Sequence, residues 1–552
     1  MKNRPMTADL LRGFIGYQTA QAMRYQQAGL WEDAPLWCLL TQGVEQYGEQ
    51  IAVLDEHHQL TYQALLNAAD GIAHRLMTDG MQVGERVVIQ LSNTCRFPIV
   101  LFATLRAGLV PILALPAHGL SEIKHLAQLG DAKAYISEEI QGAALANNLI
   151  ANGQGLQQVY LFGEHGNHHS LNNIQLHSPL VPPAINPDHP ALFLVSGGTT
   201  GLPKLIPRTH NDYLFNIRCC CQASEINERD VYLAVLPAAH NFTLGCPGFL
   251  GVLAKGGKVV FTQHAGPDHC FGLIEQHQIS ATALVPSLAQ LWTEATQWEE
   301  SDLSSLRLMQ VGGSKLAYSD ALDLQKAFPN ALQQVFGMAE GLICCTRLGD
   351  HPEIIASRQG RPVCALDEIR VVDPQGYPVG EGEEGELLTR GPYTLRGYYR
   401  ANEHNQRAFT LDGFYCSGDK VRMDSDQYLT VTGRIKDVVN RAGECIATDE
   451  IEEHLLAHPQ VAQVAVVAVP DPYLGERIGV ALISKDSTLT LQALRQFLKE
   501  RNLASFKLPD ELHMLSHLPK TAVGKIDKKA ILGPSGKPWM LDIQTGYNTI
   551  PT

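Results

Sequence analysis

From about residue 50 the chain alternates short β-rich runs with longer segments of helical period, and this limits its fold more than any other feature. RVVIQL, LVPILAL, AKAYI and QVYLF read as strands, and Tyr62 to Met77 as a helix. The alternation predicts α/β layers with largely parallel strands. At roughly 150 residues per domain, 552 residues make three or four domain-sized units, so a single undivided core is not expected. Apolar residues at 45% and charged residues at 18% supply core material and exclude global disorder.

Two changes of composition divide the chain. Residues 165 to 190, HGNHHSLNNIQLHSPLVPPAINPDHP, have neither period and read as a surface connection; His165, His168 and His169 have no Cys or carboxylate cluster to complete a metal site. Near GRIKDVVNR, Gly433 to Arg441, a charged stretch follows YLTVTG. Beyond it, Asp449 and Glu452 are expected to cap a helix carrying Ile451, Leu455 and Leu456, which Pro459 stops. VAQVAVVAV reads as a strand, and Leu491, Leu494 and Leu498 mark one face of a further helix. About 95 residues from the charged stretch to Lys529 suit a small α+β domain.

Charge and cysteine usage narrow the partners. Against 57 Asp and Glu stand 43 Lys and Arg, a net charge of −14, so no nucleic acid is expected as the main partner. The 12 cysteines have no regular spacing and no CxxC pair, and clusters such as Cys219, Cys220, Cys221 and Cys344, Cys345 suit a reduced, cytoplasmic chain. MKNRPMTADLLRGF has no long apolar stretch, so no signal peptide is expected. The most membrane-like stretch, Phe97 to Pro116, contains Pro98, Arg106 and Pro111 and reads as a buried helix and strand, with no membrane partner.

The strongest chemical signal is ALFLVSGGTTGLPK, residues 191 to 204, where an apolar strand runs into glycines, hydroxyls and a lysine. Gly197, Gly198 and Gly201 allow close backbone approach, Ser196, Thr199 and Thr200 add hydroxyls, and Lys204 adds charge, which suits a polyphosphate. Leu202 and Pro203 separate Gly201 from Lys204, so this is not the Walker pattern. LPAAHN, QVFGMAE, YCSGD, GRIKD and LPKTAVGKIDKK follow at long separations, carrying His240 and Asn241, Glu340, Asp419, Arg434 with Lys436, and Lys525. Singly these read as a satisfied histidine, surface carboxylates and a solvated basic tail; their joint order does not.

Together the motifs resemble the adenylate-forming superfamily of acyl- and aryl-CoA synthetases, luciferases and nonribosomal adenylation domains, over about residues 35 to 530. VSGGTTGLPKLIPRTHNDY, LPAAHNFTLGCPG, QVGGSKL, VFGMAEGLI and RGYYR look like the stand-alone aryl-acid AMP ligases of siderophore biosynthesis. The resemblance implies a large multi-layered N-terminal domain of mixed sheets and helices, residues 1–435, a small mobile α+β domain, residues 436–530, and an unassigned tail, residues 531–552. It implies ATP and Mg²⁺ as cofactors, formation of an acyl-adenylate with release of pyrophosphate, then transfer to a phosphopantetheine thiol. Lys525 would bridge the substrate carboxylate and the α-phosphate, the 196–204 loop would hold the β- and γ-phosphates, and Glu340 would help hold the metal. Asp419 and Arg434 would meet the ribose, while Gly312, Gly313, Phe336, Gly337 and Met338 would enclose the nucleotide. His240 would border the acyl pocket and the phosphates. Lys436 is the expected hinge, and the loop around Gly443 would approach the pantetheine arm. Lys525 and the phosphate loop fall in different expected domains, so the resemblance implies rotation between the two half-reactions.

Amino-acid-activating relatives place an aspartate after the histidine; here it is neutral Asn241, which can bond a phenolic hydroxyl but cannot neutralise an amine. The resemblance therefore favours a small aromatic acid, a 2-hydroxybenzoate, with Phe242 against its ring and Gly313 beside it. Cys246 and Ile343 stand where dihydroxybenzoate-type relatives usually have a serine and a valine, which shifts the expectation to salicylate over 2,3-dihydroxybenzoate. An aryl-CoA ligase and a nucleotide-binding protein without catalysis are the alternatives. The thiolation loop, commonly NRGGEKI, reads NRAGECI, with Ala442 and Cys445 as departures. No carrier-protein sequence follows residue 530, so the acyl acceptor is expected to be a separate aryl carrier protein.

Overall fold

Each of the four apolar runs is a strand in the computed structural model, at Arg86–Gln90, Val110–Leu113, Ala132–Glu138 and Gln158–Phe162. The structure describes residues 8–138, 156–163, 169–172, 180–196, 203–435, 437–441, 444–471, 474–486, 488–501, 503, 505–521 and 524–532. By contacts the chain forms two compact units, one of residues 1–316, 322–369 and 389–416, the other of 317–321, 370–388 and 417–552. The division expected at 435/436 runs through the second of these units.

In the first unit the four runs lie side by side in parallel, in a sheet of seven strands among the described residues. Its far edge is an antiparallel hairpin, Pro190–Val195 with Leu205–Thr209. The helix Tyr62–Thr78 starts where the Thr61 hydroxyl accepts the Ala64 N–H at 3.1 Å, and it buries Leu65, Ala69, Ile72 and Leu76. It packs on Arg96–Arg106, to which a buried Asp70–Arg106 ion pair ties it at 2.9 Å. That second helix and Val110–Leu113 account for the membrane-like stretch, and no described helix is long and apolar enough to cross a membrane.

A sheet of nine described strands completes this unit, with Val231–Ala234, Lys258–Phe261, Ala281–Leu284, Leu308–Gly312 and Leu332–Gly337 parallel through its middle and antiparallel pairs at both edges. Ala281–Leu284 and Leu308–Gly312 are buried throughout, as expected of parallel strands covered on both faces. Part of the 165–190 connection forms a short strand, His169–Ser170, on Gln158–Phe162. His165 and His168 lie outside the described residues, and the described residues include no cluster of three metal-ligating side chains.

The second unit joins a four-stranded sheet, ending in Tyr415–Met423 and Leu429–Arg434, to a C-terminal sheet containing Val461–Asp471 and Gly475–Ser484. Ile451, Leu455, Leu494 and Leu498 fill the core over the C-terminal sheet, and Pro459 follows the helix Thr448–Leu456 as expected. The expected cap is corrected. Ala447 occupies the N-cap position with no side-chain bond, while Asp449 and Glu452 face Lys528 at 3.4 and 2.8 Å. A half-buried cation outcompetes the helix terminus for both carboxylates.

Contacts also place Gly433 beside this helix, where a Cβ would lie 3.2 Å from Asp449 Oδ2, which is why the four-stranded sheet groups with the C-terminal segment. A tighter glycine constraint lies in the first unit at Gly248, with φ of 58° and a Cβ position 2.1 Å from the Thr243 carbonyl oxygen. Gly248→Ala is expected to lower unfolding free energy by about 2–4 kcal/mol through strain and clash. Urea denaturation should show the drop, and an unchanged midpoint would refute it.

Candidate active site

The phosphate-loop candidate sits at the tip of the antiparallel hairpin. Past the last cross-strand pair, Val195 with Leu205, the Ser196 N–H donates to the Lys204 carbonyl at 3.0 Å, and the Lys204 N–H donates to Ser196 Oγ at 2.9 Å. These two bonds close the base of the loop. Gly197, Gly198, Thr199, Thr200 and Gly201 lie outside the described residues. The Lys204 ammonium lies 5.8 Å from the centre of the Tyr398 ring.

Four residues past Lys204, the same hairpin carries an arginine that sequence reasoning missed. Arg208 is fully buried; its Nε donates to Asp212 Oδ1 at 2.8 Å, Nη1 to the Ala339 carbonyl at 3.1 Å and Nη2 to the Tyr393 carbonyl at 3.2 Å. Asp212 Oδ2 accepts the Thr209 N–H at 2.8 Å and its hydroxyl at 3.0 Å, forming a capping box at the start of the helix His210–Ala223. Burial pushes the Asp212 carboxyl up, opposed by Arg208. Among the described residues the two charges are matched by five hydrogen bonds to and between them.

Glu340 follows a tight turn after Leu332–Gly337, in which the Met338 N–H reaches the Leu342 carbonyl at 3.1 Å. Gly337, Met338 and Phe336 line the end of that strand, Phe336 half-buried and Gly337 exposed. Glu340 Oε1 accepts from the Tyr398 hydroxyl at 2.7 Å, and Tyr398 meets the Tyr415 hydroxyl at 2.9 Å. Burial and the Glu340 charge push the Tyr398 phenol up, so it stays a donor. Glu340 Oε2 has no hydrogen bond among the described residues. One carboxylate oxygen with space for further oxygen ligands fits Mg²⁺, which takes few protein ligands and completes its shell with phosphate and water.

The acyl-pocket residues gather around the short helix Asn241–Gly245. His240 caps it, its Nδ1 accepting the Phe242 N–H at 3.3 Å. Asn241 Oδ1 accepts the Tyr213 hydroxyl at 2.8 Å and Asn241 Nδ2 donates to Cys246 Sγ at 3.3 Å, with Asn241 7% exposed. A Cβ on Gly312 would lie 3.3 Å from Phe242 Cζ, and one on Gly337 would lie 3.3 Å from Ile343 Cγ1. Phe242, Gly312, Gly337 and Ile343 thus form neighbouring walls, and Gly313 is the exposed turn beyond, with φ of 90°. Cys246 also lies against Cys220, whose hydrogen bond to Cys246 and burial push its thiol up. None of the described cysteines is in a disulfide.

Asp419, Arg434 and Lys525 fall together in the second unit. Asp419 and Arg434 are cross-strand partners, Arg434 Nε donating to Asp419 Oδ1 at 2.7 Å, while the Asp419 N–H donates to Ser417 Oγ at 3.0 Å. Burial pushes the Asp419 carboxyl up, and Arg434 and then Lys525 pull it back. Lys525 is exposed on a turn held by Thr521, whose N–H donates to the Lys525 carbonyl at 2.7 Å and whose Oγ1 accepts the Lys525 N–H at 3.2 Å. Three residues on, Lys528 Nζ meets Thr448 Oγ1 at 2.8 Å and Glu452 Oε1 at 2.8 Å. Burial brings the Glu452 carboxyl to about 7, against the pull of Lys528. Lys436, Ala442 and Gly443, and the Cys445 side chain, lie outside the described residues.

Sequence reasoning thus missed Arg208, Asp212, Tyr213, Tyr398 and Lys528. Arg208 and Asp212 stand four apart across a strand–helix junction with Thr209 between them, a capping-box signal that was legible. Tyr213 and Tyr398 had no such mark.

Known proteins were compared with this chain. Residues 40–399 match the family model described as AMP-binding enzyme, and residues 450–525 match the AMP-binding enzyme C-terminal domain. The chain is 46% identical over 542 residues to the vibriobactin-specific 2,3-dihydroxybenzoate-AMP ligase of Vibrio cholerae, covering 95% of this chain and 98% of that one. It is 44% identical over 544 residues to the salicyl-AMP ligase / salicyl-S-ArCP synthetase of Mycobacterium tuberculosis, covering 97% and 96%. The apo structure of Mycobacterium smegmatis MbtA superposes with a TM-score of 0.76 at 45% identity, covering 95% of this chain and 99% of that one.

Arg208→Met would strand the Asp212 carboxylate in a dry interior, at an expected cost of about 3–5 kcal/mol. Chemical denaturation measures it; a loss below about 1 kcal/mol, the range of an exposed pair, would refute the buried role.

Proposed function

The chain belongs to the AMP-binding enzyme family, and on that premise we propose that it activates a 2-hydroxybenzoate, salicylate in preference, and loads it onto an aryl carrier protein for siderophore assembly. It is an adenylate-forming ligase. The observation that carries the choice of acid is the buried contact of neutral Asn241 with Tyr213 and Cys246, beside the Phe242 ring. An amide held there suits a hydroxyl on the ring and has no charge for an ammonium.

The reaction follows from charge placement. A carboxylate oxygen of the acid attacks the α-phosphorus of ATP, the bond to the β-phosphate oxygen breaks, and pyrophosphate leaves. Lys525 offsets the charge gathered between carboxylate and α-phosphate, while Lys204 and the 196–204 loop hold the outgoing phosphates. Asp419 accepts the ribose hydroxyls with Arg434 beside it. Glu340 would hold Mg²⁺, which neutralises phosphate charge when bound. His240 orients the carboxylate. In the second step a phosphopantetheine thiol sulfur attacks the acyl carbon, AMP leaves, and the thiol proton passes to solvent. For this we propose 1–435 and 436–530 as the moving parts, with the hinge at Lys436 and Gly443 on the thiolation loop.

The second reading keeps the reaction and takes 2,3-dihydroxybenzoate, as the Vibrio cholerae relative's name states for that protein. Salicylate is favoured because Cys246 already receives the Asn241 amide and offers a thiol, a weak partner for a 3-hydroxyl. ATP–pyrophosphate exchange over a panel of benzoates is expected to run fastest with salicylate, with 2,3-dihydroxybenzoate behind by about tenfold. Exchange with an amino acid and neither benzoate would overturn the reading; efficient turnover of free CoA in place of a carrier protein would make it an aryl-CoA ligase.

Lys525→Ala is expected to cut adenylation about a thousandfold, as for loss of a group stabilising transition-state charge, yet to spare acyl transfer from preformed aryl-adenylate. Separate single-turnover assays read the two steps. Equal loss in both would count against alternation of the C-terminal domain.

A further inference from the structure

Asn241 is held from two sides, and the two holders differ in what they allow. Tyr213 is fully buried, and Asn241 Oδ1 is the one hydrogen-bond partner of its hydroxyl among the described residues, at 2.8 Å. On the other side Asn241 Nδ2 gives one N–H to Cys246 Sγ at 3.3 Å. If the amide were turned over, an N–H would face the phenol oxygen and the buried phenolic proton would lose its acceptor. The phenol packs directly against Gly245, where a Cβ would lie 2.7 Å from the Tyr213 hydroxyl. Burial also keeps that phenol protonated, so it remains a donor.

With the amide so fixed, Oδ1 is committed to Tyr213 and the second N–H of Nδ2 is the group left for a ligand. We propose that Tyr213 is a specificity-determining positioning residue, which by fixing the Asn241 amide makes the acyl pocket accept an ortho oxygen and refuse an ortho amine. This rests on the aryl-acid reading and deepens it. In salicylate the hydroxyl proton points to the molecule's own carboxylate, leaving oxygen lone pairs to accept the Nδ2 N–H. In 2-aminobenzoate the nitrogen lone pair is delocalised into the ring, and an N–H of the amine meets the N–H of the amide. Two donors then face each other in a buried site, the arrangement that gives hydrogen-bonding pockets their largest discrimination.

The test is ATP–pyrophosphate exchange with salicylate and 2-aminobenzoate on the full chain and on Tyr213→Phe, which keeps the ring and removes the proton donor. The wild type should prefer salicylate by about a hundredfold or more in kcat/KM. Tyr213→Phe should narrow that ratio about tenfold, with the salicylate KM rising and the ATP KM unmoved, because the freed amide can turn its oxygen to the amine. Asn241→Leu removes the amide and should narrow the same ratio, so the result does not hang on one buried tyrosine variant. An unchanged ratio in Tyr213→Phe, whether or not Asn241→Leu narrows it, or equal loss with both acids, overturns the role of Tyr213. Exchange with neither acid by the wild type would instead refute the aryl-acid reading, a failure visible before any variant is made.

Discussion

The buried pair of Arg208 and Asp212 is the interaction on which the large unit's chemistry depends. Two charges in a dry interior persist only when nearly every donor and acceptor is matched. Here that requirement fixes geometry. Through Asp212 it sets the first turn of the helix that carries Tyr213, and through Arg208 it holds the carbonyl of Ala339, the residue before Glu340. Arg208 also stacks its guanidinium 4.7 Å from the Tyr213 ring centre. The hairpin of the phosphate loop, the turn of the metal-ligand candidate and the wall of the acyl pocket thus share one anchor, and none can shift alone without exposing an unmatched charge.

A second, smaller anchor does the same in the C-terminal unit. Lys528 joins Thr448, Asp449 and Glu452, and Glu452 in turn accepts the Val466 N–H at 2.6 Å. Although burial opposes its charge, the two carboxylates hold the Lys528 ammonium above its ordinary pKa. Removing either anchor would cost more than the pair's own attraction, since a partner would be left charged and buried.

Much of this was legible from the chain alone. Strand runs such as RVVIQL and QVYLF are rich in β-branched and aromatic residues, and Ser196, Lys204, Asp419 and Arg434 sit in motifs whose residue types announce charged ligands. What stayed hidden has a common cause. The helix His210–Ala223 is buried on nearly all sides, so its polar residues have no apolar stripe to contrast with and look like surface positions. Tyr213 meets Asn241 through its hydroxyl across 28 residues of sequence, a pairing that local spacing does not mark. Asp449 and Glu452 looked like caps because helix termini attract carboxylates, and the distant lysine that claims them cannot be seen from local spacing. Cys246, by contrast, was singled out in the sequence beside Ile343, and its Sγ accepts a hydrogen bond from the Asn241 amide.

The Lys528 cluster also has a mechanical meaning. Thr448, which Lys528 grips, donates from both its N–H and its hydroxyl to the Asp437 carbonyl at 3.2 Å, one residue past Lys436. The exposed lysine at 525 is therefore stiffly coupled to the segment next to the proposed pivot, although nearly ninety residues of sequence separate them. The link runs from the Asp437 carbonyl through two side chains, Thr448 and Lys528, to the helix that begins three residues past Lys525. The C-terminal unit can then act as a lever whose working tip keeps its angle, and a change at Lys528 would loosen the tip while leaving the pivot sound.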